Sequence, residues 1–255
     1  MREGGAMAYS FRDLKPTSLV DYKEPPSEYV IFGNFDTRKD GWYLVERSAP
    51  SPQEQQIVET VPYMQGQYDF SMIDNERFFA NREITYTFKI FNMAYDDRKE
   101  LEQDIKRQLM PLGIDKLFDS HDQIYHWLGK FKSIEVTDDA KHNSLQAVLV
   151  FDCYPFAIRT HPEGSDLWDE VYFPHWYFQE TKFTVSGDME VTLKNIGSAS
   201  APITLIVTGA VIVNGLQFKE GIYKDTVLTM EIGDNKFKLS GNGTVDFQFY
   251  REELI

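Results

Sequence analysis

Residues 84–90, "ITYTFKI", put Ile84, Tyr86, Phe88 and Ile90 on one side of the chain and Thr85, Thr87 and Lys89 on the other. That period of two is what a half-buried β-strand needs, since successive side chains leave a pleated backbone on opposite faces. The same pattern returns at 244–250, "TVDFQFY", with Val245, Phe247 and Phe249 on the apolar side. Two further runs, "LQAVLVFDCY" (145–154) and "ITLIVTGAVIV" (203–213), are β-branched and nearly continuously apolar, so strands covered on both faces are expected there. These four stretches span most of the chain and make it mainly β.

One segment breaks the pattern. "YDDRKELEQDIKRQLMPLG" (95–113) spaces Leu101, Ile105 and Leu109 four apart, with charges elsewhere, which is a helical period. Acids lead it, Lys106 and Arg107 close it, and Pro111 and Gly113 follow, so a helix is expected near 97–110. Asp97 and Glu100 have capping-box spacing.

A boundary is expected near "DCYPFAIRTHPEG" (152–164), where strand pattern stops and two prolines arrive. We therefore expect two domains, 1–150 and 151–255. In the second, turn signals recur at Gly187-Asp188, Asn195 to Gly197, Asn214-Gly215, Gly233-Asp234 and Gly241 to Gly243, the spacing of an all-β sandwich. "SGNGT" (240–244) is expected to be a hairpin turn.

The chain has 255 residues, enough for two such cores, and its 42% apolar and 15% aromatic content excludes a disordered protein. Its net charge of −14 is shared evenly by the two parts and repels phosphate backbones, so no direct nucleic-acid contact is expected. Cys153 is the single cysteine and has no partner for an intrachain disulfide. No apolar run reaches the length of a membrane helix, and the N-terminal stretch lacks a secretory pattern, so a soluble protein made in the cytoplasm is expected.

Chemistry is sparse. "DSHDQIYHW" (119–127) gathers Asp119, His121, Asp122 and His126, but the His-x4-His spacing fits no common zinc motif. A polar loop with a half-buried histidine beside Trp127 is the plainer reading. Carboxylate pairs are frequent because carboxylates are, and no nucleophile elbow or phosphate-cradling loop occurs. Cys153 ends an apolar strand, where a buried inert thiol is expected. No catalytic residue, metal or cofactor is assigned, and an enzyme is disfavoured. The most suggestive stretch is "LWDEVYFPHWYFQETKF" (167–183), where Trp168, Tyr172, Trp176 and Tyr177 crowd together. Exposed, they would offer a platform to a sugar or a partner protein; buried, they would begin the second sandwich. The mixed case is expected, with alternate residues in the core and the others meeting a neighbouring chain.

"SAPSPQEQQIVETVPYMQGQYDFSM" (48–72) followed by "FFANREITYTFKIF" (78–91) resembles the N-terminal signature of the distal tail protein (Dit) family of long-tailed siphophages. The matching residues are Val61, Pro62, Gly66, Tyr68, Asp69 and Phe70, then Arg82, Ile84, Tyr86 and Phe88. The helix and "VLVFDCYPF" (148–156) look like the family's single helix and the strand closing its N-terminal domain. "VTLKNIGSASAPITLIVTGAVIVNG" (191–215), through Asn195, Gly197, Pro202 and Ile203, is similar to the opening of the galectin-like sandwich that follows. The likeness covers most of the chain and is closest to members from lactococcal phages with multi-protein baseplates.

The resemblance implies an N-terminal β-sandwich or split-barrel-like domain with one α-helix, then a C-terminal galectin-like β-sandwich. It implies a virion protein of the tail tip or baseplate, made in the host cytoplasm and forming a homohexamer. The ring would join the major tail or tube protein to the tail-associated hub protein and the baseplate or receptor-binding proteins, with no membrane contact. The alternative is a carbohydrate-binding module for host cell-wall saccharide. The expected interface residues are Tyr68, Asp69, Phe70, Arg82, Trp168, Tyr172, Trp176 and Tyr177. For Asp69, turn chemistry with backbone donors is preferred over a pair with Arg82.

Overall fold

The structure is a computed structural model that describes residues 26–73, 76–165, 177–224 and 226–255. The chain divides into two compact units, Met1–Pro155 and Phe156–Ile255.

The first unit contains β1 (Val30–Phe32), β2 (Phe35–Asp36), β3 (Tyr43–Ser48), β4 (Val58–Glu59), β5 (Tyr68–Asp69), β6 (Met72–Ile73), β7 (Glu76–Arg77) and β8 (Arg82–Ile90). Helix α1 (Tyr95–Leu109) follows, then β9 (Asp115–Asp119), β10 (Tyr125–Asp139) and β11 (Ser144–Cys153). Its main antiparallel sheet runs β2-β1-β9-β10-β11-β8-β3, open at both ends rather than closed as a barrel. The alternation of residues 84–90 sets the middle of this sheet: Ile84, Tyr86, Phe88 and Ile90 are all buried, and their neighbours face outward. In β11 the apolar run alternates as well, Leu145, Ala147, Leu149 and Phe151 buried and the residues between them half-buried. Phe151 meets Phe32, Phe131 and Tyr86 edge-on, with ring centroids 5.1, 5.7 and 6.1 Å away.

Helix α1 starts earlier than its capping-box spacing indicated. Ala94 is the N-cap, with φ −64° and ψ 159° and no side-chain cap, so Asp97 lies inside the first turn and Glu100 beyond it. The charges still suit the helix dipole, Asp96 and Asp97 at the start and Lys106 and Arg107 at the end. Ile105 and Leu109 are buried, Leu101 only half so, and the buried Arg98 donates to Asp138 Oδ1 (2.5 Å) and Met93 O (2.6 Å).

The second unit contains β12 (Ala157–Arg159), β13 (Lys182–Ser186), β14 (Met189–Asn195), β15 (Ala201–Pro202), β16 (Thr204–Val213), β17 (Leu216–Tyr223), β18 (Thr229–Met230), β19 (Gly233–Gln248) and β20 (Glu252–Glu253). Its main sheet runs β13-β19-β16-β17, with β14 also on β19, while β15 pairs β18 and β12 pairs β20. Val245, Phe247 and Phe249 are fully buried, as their alternation required, against Leu193, Leu205 and Val213. The buried Asn195 explains its own motif: Oδ1 accepts from Gly197 N (2.8 Å), and Nδ2 donates to Ala199 O (2.9 Å) and Met230 O (3.0 Å). A buried carboxylate ties the end of the chain to the start of this unit. Glu163 Oε1 lies 2.9 Å from Arg159 Nη1 and 3.4 Å from Arg251 Nε.

Two sequence expectations are corrected here. Strand β16 is not covered on both faces; Thr208, Ala210 and Ile212 are exposed, because only one face of the sheet meets the core. "SGNGT" is not a turn but the middle of β19, in register with Thr208 to Ile212 of β16. The hairpin glycine is Gly215 instead, where Asn214 (φ 50°) and Gly215 (φ 84°) join β16 to β17. Among the described residues no helix is long and apolar enough to cross a membrane.

Candidate interface: the exposed hairpin and its root

The chain leaves the sheet at Ser48, the end of β3, and re-enters it at Arg82, the start of β8. Between them it forms an antiparallel excursion. Near the root, Gln55 N donates to Phe78 O (2.8 Å), Ala80 N to Gln53 O (2.8 Å), and Arg77 grips Glu54 through two bonds of 2.9 and 2.6 Å. Farther out, Val58 pairs with Asp69 and Glu59 with Tyr68, and Phe70 N donates to Ile57 O (2.8 Å). The end is a turn in which Met64 N donates to Val61 O (3.1 Å), with Tyr63 and Gly66 at positive φ.

The excursion is apolar, yet it is not buried. Ile57, Val61, Tyr63, Tyr68, Phe70 and Met72 are all exposed, and the rings of Tyr68 and Phe70 stack at 6.2 Å. A two-stranded ribbon has no second layer of its own, so both of its faces stay open. Contiguous apolar surface of this kind marks a contact site.

Tyr68, Asp69 and Phe70 thus lie together on this hairpin. Asp69 Oδ1 accepts from Ser71 N (2.8 Å), and Ser71 Oγ in turn accepts from Ile57 N (2.7 Å). Hydrogen bonding from Ser71, its side chain first and then its backbone N–H, holds the Asp69 carboxyl below its usual range and makes it a turn residue. Arg82 is elsewhere: it is buried at the root, with Nη2 donating to Ala49 O (2.7 Å). Burial, then the nearby Arg47 charge, lowers its pKa. Tyr177 is exposed in the second unit, with Lys194 Nζ 5.6 Å from its ring centroid, and Phe178 beside it is exposed too. Trp168, Tyr172 and Trp176 lie outside the described residues.

The root carries a buried polar network that motif reading missed. Asp119 Oδ2 accepts from Arg47 Nε (2.8 Å) and Tyr86 OH (2.6 Å), and Oδ1 accepts from His121 N and Asp122 N (both 3.0 Å). Arg47 Nη2 also reaches Asp122 Oδ2 (2.7 Å), and the Arg47 guanidinium lies 5.4 Å from the Trp127 ring. Burial, reinforced by the Asp119 charge, pushes Tyr86 well above its ordinary pKa, and burial likewise raises Asp122. Asp119 and Asp122 are therefore committed to Arg47, and among the described residues no cluster suits a metal ion. His126 is buried rather than half-buried, its ring 5.2 Å from that of Phe118. Cys153 is buried, and desolvation pushes its thiol up to about 12, which makes it inert.

No protein-family profile matches the chain, and no curated protein matches it. Among solved structures, the crystal structure of the SPP1 Dit protein, titled a paradigm of the hub adsorption apparatus in Gram-positive infecting phages, is similar with a TM-score of 0.63. The identity is 11%, over 89% of this chain and 99% of that one. The phage P2 baseplate in its activated conformation with Ca is matched at a TM-score of 0.42 and 9% identity, over 88% of this chain and 97% of that one. Only the first is near enough to define a fold. The described residues, from β1 to β20, are mainly β with one helix, and the chain shares the fold of the SPP1 Dit protein.

Proposed function

We propose that this protein is a structural hub of a bacteriophage tail tip, acting by binding rather than by catalysis. Residues 1–150 form a hexameric ring, and residues 151–255 are the attachment domain. The ring connects the tail tube and the tail-associated hub protein to the baseplate or receptor-binding proteins of the virion. The observation that carries this reading is the fold shared with the SPP1 Dit protein over nearly all of both chains. The exposed apolar hairpin supports it, because residues such as Tyr68 and Phe70 need a partner to leave water. A lactococcal-type host is part of the same proposal and rests on the sequence resemblance.

Light scattering and negative-stain imaging of the purified chain, alone and mixed with the tube and hub proteins, test it. The expected result is a six-fold ring. The double variant Tyr68→Ser/Phe70→Ser should keep the circular dichroism of the parent and lose the ring. A chain that stays monomeric at every concentration, with and without those partners, overturns the reading.

A further inference from the structure

At the tip of the hairpin, Tyr63 is held at φ +68°, a backbone region that favours glycine or asparagine over a bulky residue. Its side chain is fully exposed, at 108% of the reference area, so no packing within the chain rewards that conformation. The first unit also has a pocket of about 320 Å³ beside the paired strands β10 and β11. Ile114, Leu128 and Tyr154 supply its apolar wall, and Asn81, Lys130 and Asp152 supply its polar groups. The volume is at the small end for a ligand site and suits one aromatic side chain. An apolar wall with a few polar groups is also what a phenol requires, a ring to bury and a hydroxyl to satisfy.

Charge matches the two features. From Ser48 to Glu76 the chain has no lysine or arginine, and the hairpin bears Glu59 and Asp69 exposed. The rim of the pocket is mixed in charge, Lys116, Lys130 and Lys132 against Asp152 and Glu83, which leaves a small positive balance in an otherwise acidic protein. Lys130 lines it, Lys116 pairs in register with Leu128, and Lys132 follows on the same strand. Lys132 is bound to Glu83 and Lys130 only loosely to Asp152 (3.9 Å).

The tip does not fill the pocket of its own chain, since Tyr63 is fully exposed. Asn81 lines the pocket at the root of the hairpin, next to Arg82, whereas Tyr63 lies some nine residues beyond the Glu54–Phe79 bridge. At about 3.3 Å per extended residue, that is up to roughly 30 Å away.

We infer that Tyr63 of one copy seats in the Ile114–Leu128–Tyr154 pocket of the next copy. Knob and pocket are different patches of one chain, so the contact is heterologous: it gives assembly a direction and produces a ring when the rotation closes. The inference rests on the ring reading above and names the residues that would make the ring.

Disulfide trapping in the full chain tests it. Tyr63→Cys and Ile114→Cys in one chain should give, on mild oxidation, a ladder of interchain species ending at the ring. Mixing the two single variants should give only linked dimers. The buried Cys153 stays out of the reaction. In parallel, Tyr63→Ser and Leu128→Arg, folded by circular dichroism, should each weaken association by about tenfold or more, as loss of a central anchor does. Rings that form without trapping at this pair, and that Tyr63→Ser leaves intact, overturn the inference and leave the ring reading standing. Loss of tube-protein binding in Tyr63→Ser without any trapping between copies also overturns it, since the knob would then serve another partner. A chain monomeric under all conditions overturns both.

Discussion

Asp119 spends both carboxylate oxygens inside the first unit, on Arg47, on the Tyr86 hydroxyl and on two backbone N–H groups. Removing it takes the acceptor from the buried Tyr86 phenol and from Arg47 Nε, leaving Arg47 only Asp122, which is more costly than the pair is worth in isolation. Asp119→Ala should lower the stability of the unit by about 3–5 kcal/mol. Tyr86→Phe should cost only about 1 kcal/mol, because the hydroxyl leaves with its own desolvation. Urea denaturation of the two variants reads both values, and equal losses would mean the network is not centred on Asp119. His126 gives the pH signature. Burial, and then the charge of Lys116, lower its pKa from 6.5 to about 4 in the folded protein. The unfolded chain therefore binds the extra proton first as pH falls, and stability is lost between pH 6.5 and about 4. His126→Phe keeps the ring against Phe118 and should flatten the stability profile across that window; an unchanged slope would assign it to the carboxylates instead. Neither group was legible as a partner from sequence. Arg47 and Asp119 stand 72 residues apart, and only the register of the sheet brings them together. Asp69 was easier, since its partner Ser71 is two residues away.

Local period was enough to place β8, because a strand with one buried face writes its alternation directly into the sequence. It failed where two strands nearly touch. Glycine clusters usually signal turns, and "SGNGT" has the composition of one, but Gly241 and Gly243 sit in mid-strand against the backbone of β16. A Cβ on Gly243 would fall 2.1 Å from Thr208 O, and one on Gly241 would fall 2.4 Å from Ala210 O. Here glycine permits close approach. Gly243→Ala should therefore destabilise the second unit by about 1–3 kcal/mol or more, since backbone must move to admit the methyl group. Gly113→Ala is the control, with nothing within 4 Å of the added carbon, and should be near neutral. Thermal melts that rank the two the other way would mean the strands are farther apart than this. The hairpin 48–82 shows a second limit of the local signal. Its apolar residues follow no period that tells core from surface, and they are exposed because a ribbon with no second layer cannot bury them within one chain.

For the whole molecule the governing quantity is a net charge of −14 on every copy. The proposed ring would set six such chains side by side, like charge against like, and that repulsion acts over many ångströms. Added salt screens it, the Debye length falling from about 30 Å at 0.01 M to about 10 Å at 0.1 M. Pairs such as Glu59 or Asp69 with the pocket lysines would lie at an exposed rim, where water weakens them and salt screens them as well. The apolar hairpin contact is not weakened by salt, and sulfate strengthens it. Repulsion is summed over whole chains and the attractive pairs are few, so the balance falls on the side of screening. The ring should therefore tighten, not loosen, as ionic strength rises from 0.01 to about 0.1 M. Sedimentation velocity across that range measures it. Rings that dissociate with added salt would mean that the lysines at the pocket, rather than the exposed aromatics of the hairpin, supply most of the association.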